Sequence, residues 1–283
     1  MTRSAIEGAL LDWAPDGWRE LPWRRTRDPW AVLVSELMLQ QTQAARVVPK
    51  WEAFLARWPD PASCAADPAA EVVKAWSGLG YNRRALYLHR CAQVLVERHG
   101  GVMPEDLDEL RSLPGVGPYT ARAVLAFAFG RDVGVVDTNA ARVLARAVRG
   151  RRLSAGEAQR LADELVPAGQ SWCWNQAMLD LGATVCTSRP RCGPCPLREL
   201  CAWGGAGPDP AVGSAGVSGR QSRFDGSERQ GRGRLLEALR SGPVTDIATA
   251  CGWPGDPDRA ARVAAALVAD GFAAAIPGGL ALR

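Results

Sequence analysis

Lysine is nearly absent from this chain of 283 residues: of 34 basic side chains only Lys50 and Lys74 are lysine, and the rest are arginine. With abundant Ala, Gly and Pro, this skew fits a GC-rich genome and says nothing about function by itself. Long apolar runs are missing as well. No eighteen consecutive apolar residues occur, which argues against a transmembrane helix. The N-terminal MTRSAIEGALLDWAPDGW carries charges and Trp where a signal peptide needs an uninterrupted apolar stretch, so a cytoplasmic protein with no membrane partner is expected. The net charge of +4 is too small to establish a polyanion ligand, although Arg-rich segments can still form a local phosphate-binding face. Strand patterns are missing from residues 5–203.

What is present there is helical spacing of apolar residues, broken by Gly, Pro and Asp. It predicts helices over 4–13, 30–45, 48–57, 68–76, 82–98, 106–111, 118–129, 138–148, 154–165 and 171–181. The fold class expected is all-α, with one large domain over residues 1–203. Residues 204–227, rich in Gly, Ser, Pro and Ala without periodicity, read as a flexible linker. Beyond it, three short helical segments and FAAAIPGGLALR, which reads as a hairpin turning at Pro277 to Gly279, suggest a small winged-helix-like module over 228–283.

Three local features carry chemistry. Cys186, Cys192, Cys195 and Cys201 follow a C-x5-C-x2-C-x5-C pattern, a thiol cluster suited to a metal, either iron–sulfur or zinc. A four-cysteine zinc ribbon ordinarily has two CxxC pairs, and only one is present. In LPGVGPYTARAV, residues 113–124, Gly115 and Gly117 permit positive φ just before a helix opening at Pro118, a geometry that gathers backbone N–H groups around a phosphate. The same loop also suits a tight turn between core helices, and local sequence does not choose. Glu36 sits among Val32, Leu33, Leu39 and Gln40 at helical spacing, where burial would raise its pKa and keep a proton available for donation. A surface Glu paired with Arg is the plainer alternative. Asp137 follows two valines and precedes a helical run, as a helix N-cap does.

The order of LPWR (21–24), SELMLQQTQ (35–43), GLGYNRRA (78–85), LPGVGPYTA (113–121), VVDTNAARVLAR (135–146) and NQAMLDLGATVC (175–186) resembles the helix-hairpin-helix DNA glycosylases that carry an iron–sulfur cluster. Within that superfamily it is most similar to the MutY-type adenine DNA glycosylases. The resemblance implies a 4Fe-4S cluster on Cys186, Cys192, Cys195 and Cys201, in a loop over 186–201. It implies that Glu36 protonates adenine at N7, that Asp137 stabilises the sugar cation, and that Tyr119 and Asn139 are positioning residues of the same centre. Tyr119 stands where bifunctional members hold a Schiff-base lysine, so base removal without strand cleavage is expected. DNA contacts are implied for Gln40, Gln41 and Thr42, with Gln41 as the wedge, for Tyr81 beside the partner guanine, and for Gly115, Gly117, Arg189 and Arg191. Arg189 and Arg191 would meet phosphate, which positions without reading sequence.

The implied partner is double-stranded DNA with a mispaired adenine, bound by a monomer associated with the nucleoid. This chain departs from the pattern in two places. The first cysteine gap holds five residues where the family has six, and Asn82 follows Tyr81 where the family often has a second aromatic. Many relatives also carry a Nudix-like C-terminal domain, and residues 202–283 are too short for one. The competing readings are a thymine or uracil mismatch glycosylase of the same superfamily, and a noncatalytic lesion sensor.

Overall fold

The computed structural model describes residues 3–214 and 223–283, so residues 215–222 of the expected linker lie outside the described residues. The first half contains α1 (Arg3–Gly17), α2 (Pro29–Leu39), α3 (Ala44–Arg57), α4 (Pro61–Ala66), α5 (Ala69–Ala75), α6 (Arg83–His99) and α7 (Leu107–Ser112). There follow α8 (Pro118–Phe127), α9 (Thr138–Val143), α10 (Ala155–Leu165), α11 (Ser171–Asp180), α12 (Glu228–Ser241), α13 (Ile247–Cys251) and α14 (Pro257–Ala269). The strands β1 (Ala273–Ile276) and β2 (Gly279–Leu282) pair antiparallel, with Ala273 opposite Leu282 and Ile276 opposite Gly279. Among the described residues 59% are helical.

The chain folds into two compact units. The first comprises Met1–Leu33, Pro104–Ser112 and Val116–Gly219. Its core joins Leu10 of α1, Leu161 of α10, Trp174 and Met178 of α11 and Leu181 just beyond. Asp180 is wholly buried and accepts a two-pronged hydrogen bond from Arg24 at 2.6 and 2.8 Å and another from Arg19 at 2.5 Å. Burial pushes its pKa up, but the two guanidiniums outweigh this and hold the carboxyl below its usual range. This is the role of Arg24 in LPWR. Residues within the segment that composition marks as a linker pack here too: Asp209 accepts two hydrogen bonds from buried Arg146, at 2.8 and 2.6 Å, and Ser214 is buried.

The second unit comprises Val34–Met103, Leu113–Gly115 and Arg220–Arg283. Phe54 packs on Trp58 at 4.7 Å and edge-on to Trp76 at 6.5 Å between ring centres. Leu88, Cys91 and Leu95 bring the buried stripe of α6 into the same core. Leu235, Leu236 and Leu239 of α12, Leu267 of α14 and Phe272 just before the hairpin are buried as well.

The structure differs from the expected helices in physically simple ways. The helix expected over 30–45 ends at Leu39, because Gln41 adopts φ +56°, and a new helix starts at Ala44. Helix α4 was not expected; Asp60 caps it by accepting from Ser63 N at 2.7 Å, with Pro61 at its first position. The helix expected over 138–148 changes to π geometry from Leu144 to Arg149, and a second π turn, Leu181–Val185, follows α11.

Candidate active-site residues and the cysteine cavity

Helix α2 is so apolar that every residue from Ala31 to Met38 is buried, and Glu36 is only 6% exposed within it. A carboxyl this enclosed is not a surface Glu. Directly after α2 the chain turns through Gln40, Gln41 and Thr42, and Thr42 Oγ1 donates to Leu79 O at 3.0 Å. This ties the glutamine turn to the 78–82 loop. Tyr81 has φ +46° and is 46% exposed, which places its ring outside the core.

The residue that builds this corner is one that spacing did not single out. Arg84 is buried and donates to Leu37 O at 2.6 Å, Met38 O at 2.9 Å, Leu79 O at 3.2 Å, Gly80 O at 2.8 Å and Thr42 Oγ1 at 3.1 Å. Its guanidinium closes the carbonyl end of α2 and fixes both loops at once. Burial pushes its pKa down to about 10, with Tyr81 opposing. A usable signal existed: Arg84 shares one helical face with Leu88, Cys91 and Leu95.

In the hairpin between α7 and α8, Gly115 has φ +80°, and a Cβ there would lie 2.7 Å from Tyr87 Cβ. Gly117 corrects the expectation: it caps α8 in extended geometry at φ −87° and has no need of positive φ. Gly115→Ala is therefore expected to lower unfolding stability by about 1–3 kcal/mol. Gly117→Ala, which meets nothing within 4 Å, should be nearly neutral in the same urea titration. Equal losses would contradict this assignment. Tyr119 is half-buried in the first turn of α8.

Asp137 is the N-cap of α9. One carboxylate oxygen accepts from Asn139 N at 2.7 Å and Ala140 N at 2.8 Å, while the other accepts from Asn139 Nδ2 at 2.8 Å. Despite these donors, burial pushes its pKa above the usual carboxylate range. Asn139 Oδ1 accepts from Arg142 at 2.8 Å, and Arg142 also donates to Cys186 O and Gly182 O, each at 2.7 Å. The carboxylate and the first clustered cysteine are thus joined by one buried arginine, another residue that sequence reasoning missed.

Cys186, Cys192, Cys195 and Cys201 all line one cavity of about 340 Å³, with Arg146 and Trp203 on its wall. Among the described residues no three His, Cys, Asp or Glu side chains converge as they would on a single metal ion. Thiolates of this kind suit either an iron–sulfur cluster or zinc. Burial pushes the Cys186 thiol's pKa up while Arg146, donating to its Sγ at 3.5 Å, pulls the other way. Arg189 is exposed; Arg191, also exposed, lines this cavity and donates to Thr184 O.

Residues 34–168 match the HhH-GPD superfamily base excision DNA repair proteins. The chain is 44% identical to the adenine DNA glycosylase of Mycolicibacterium smegmatis, over 96% of this chain and 93% of that one. It is 46% identical to the adenine DNA glycosylase of Mycobacterium tuberculosis, over 92% and 88%. A solved thermostable thymine-DNA glycosylase superposes with a TM-score of 0.66 at 30% identity, covering 71% of this chain and 96% of that one. The mycobacterial matches therefore extend into the segment over 228–283. A helical fold with an acidic residue buried in α2, an aspartate capping α9 and similarity to named enzymes over nearly the whole chain leads to one assignment: this chain belongs to the adenine DNA glycosylases of the HhH-GPD superfamily.

Proposed function

We propose that the protein hydrolyses the N-glycosidic bond of adenine mispaired with 8-oxoguanine or guanine and leaves an abasic site. Asp137 carries this reading: a desolvated carboxylate, fixed by three N–H donors at a helix start, gains most when positive charge develops beside it. Glu36 supplies the proton to adenine N7, the C1′–N9 electron pair leaves with the base, and Asp137 balances the sugar cation until water adds at C1′ and its surplus proton returns to the Glu36 carboxylate. Double-stranded DNA is the substrate because the target base must leave its stack, with Gln41 and Tyr81 as the side chains that enter the helix.

Tyr119 brings no amine. The chain's two lysines lie on α3 and α5, and Lys74 is paired with Glu71 at 2.8 Å. Base removal is accordingly monofunctional. Cys186, Cys192, Cys195 and Cys201 would hold a 4Fe-4S cluster, whose contribution is to tie the 186–201 loop together so that Arg189 and Arg191 can meet phosphate. The three helices and hairpin after residue 227 form a winged-helix-like module on this reading.

Single-turnover assays on duplexes containing A:8-oxoguanine, A:G, T:G and U:G, each read with and without alkali, test the proposal. The expected result is adenine release, strand breaks only after alkali, and a loss of about 10²–10⁴-fold in Glu36→Gln. The thymine-DNA glycosylase neighbour favours a second reading, which activity confined to T:G or U:G would establish.

A further inference from the structure

Composition marks residues 204–227 as a linker, yet the first part of that stretch is sewn to the wall of the cysteine cavity. Ala202 N donates to Ala147 O at 2.9 Å and Trp203 N to Arg146 O at 3.0 Å. At the far end Ser214 Oγ donates to Pro210 O at 2.7 Å and accepts from Leu153 N at 3.2 Å, while Arg152 donates to Val212 O at 2.7 Å. Between these fastenings Trp203 and Gly204 line the cavity, and a Cβ on Gly205 would lie 3.6 Å from Cys192 Sγ. Gly204, Gly205, Gly207 and Gly213 all fall in this segment, and glycine loses more backbone freedom on ordering than any other residue. The fastenings therefore hold the segment against a large entropic cost.

The strongest of them is Asp209. Its carboxylate takes both prongs of Arg146, at 2.8 and 2.6 Å, and accepts from Ala211 N at 2.9 Å. Arg146 is only 2% exposed, so this pairing compensates a charge that water barely reaches. A two-pronged pair also fixes the plane of the guanidinium. That plane aims Nη1 at Thr187 O, 2.6 Å away, and at Cys186 Sγ, 3.5 Å away. Thr187 opens the five-residue gap that is one shorter than the family's, so Arg146 grips the cysteine loop where this chain departs from the pattern.

Trp203 completes the wall. The Arg146 guanidinium lies 5.2 Å from its ring centre, and its buried indole N–H has no acceptor among the described residues. A buried donor in that position carries its full desolvation penalty unless the group in the cavity supplies an acceptor.

We propose that residues 202–214 form a clasp that retains the metal group of Cys186, Cys192, Cys195 and Cys201. Asp209 is its positioning residue, acting through Arg146 on the start of the cysteine loop. The proposal rests on the 4Fe-4S reading above. It gives part of the apparent linker a task, which is to keep the group bound in a loop that is one residue short.

The test uses the full chain, purified with its metal group under argon. Iron and acid-labile sulfide are counted first, and iron release into excess chromogenic chelator is then timed. Release is expected to be about tenfold faster in Asp209→Asn and about threefold faster in Ser214→Ala, which loses only a hydroxyl at the far fastening. Hydrogen exchange should quicken within 202–214 in both variants. Asp163→Asn breaks a comparable ion pair, with Arg122 at 2.6 Å, and Asp163 does not line the cavity. It should stay within twofold of wild type in both measurements, which separates the clasp from a general loss of stability. Wild-type release rates in folded Ser214→Ala and Asp209→Asn overturn the proposal, as does equal acceleration in Asp163→Asn. If Asp209→Asn does not fold, Ser214→Ala decides alone. Wild-type protein that carries zinc without sulfide, and releases it faster in the same two variants only, refutes the cluster reading and leaves the clasp standing.

Discussion

Asp137→Asn is expected to reduce single-turnover adenine excision about 10³-fold while leaving the protein folded. Asparagine is as good an N-cap as aspartate, so Asn139 N and Ala140 N keep an acceptor. The second oxygen becomes an NH₂ facing Asn139 Nδ2, which forfeits one hydrogen bond worth about 1 kcal/mol. Against that stands relief of a desolvated charge. Because burial raises the folded-state pKa of Asp137 above its ordinary 3.8, wild-type protein binds this proton more tightly folded than unfolded. Its stability therefore falls as pH rises from the unfolded value through the folded one, at 1.36 kcal/mol for each unit separating them. The variant cannot titrate there. Thermal melts of both proteins across pH should show the variant's melting temperature gaining on wild type as pH increases and then levelling off. A difference independent of pH would show that the carboxylate is not desolvated and gains little when positive charge develops beside it.

The N-cap role of Asp137 was legible in sequence because it is local. A polar residue between two valines and a helical run announces a helix start, and Glu36 likewise stood out as a lone acid in an apolar stretch. The cysteines were legible because thiol spacing is local. What escaped was everything held by bonds between distant parts of the chain. Arg84, Arg142 and Arg146 looked like three among many arginines, yet each is buried and donates to backbone carbonyls distant in sequence. Asn82 registered only as a departure, because its partner, Arg240, lies 158 positions further on. The break after Leu39 was hidden for a different reason: QQTQ suits a helix by propensity, and the bonds that turn the chain at Gln41 come from Thr42 and Arg84.

Arg84 should accordingly be the most costly position to change in this half of the chain. Arg84→Ala strips donors from the carbonyls of Leu37, Met38, Leu79 and Gly80, and an unsatisfied buried carbonyl costs about 1–3 kcal/mol. Water entering the space left by the side chain recovers part of this, so a net loss of about 3–5 kcal/mol is expected in urea unfolding. Lysine tests the mechanism. It restores charge and much of the volume, but it offers three donors from a single nitrogen where the guanidinium fans five from a plane. Reaching both the end of α2 and the 78–82 loop needs that fan. Arg84→Lys should recover less than half of the lost stability and should still fail to bind a duplex carrying an abasic analogue, because Gln41 and Tyr81 are no longer held at positive φ. Full recovery by lysine would mean that the positive charge at the α2 carbonyl end is what matters, and that the two loops are fixed by Thr42 alone.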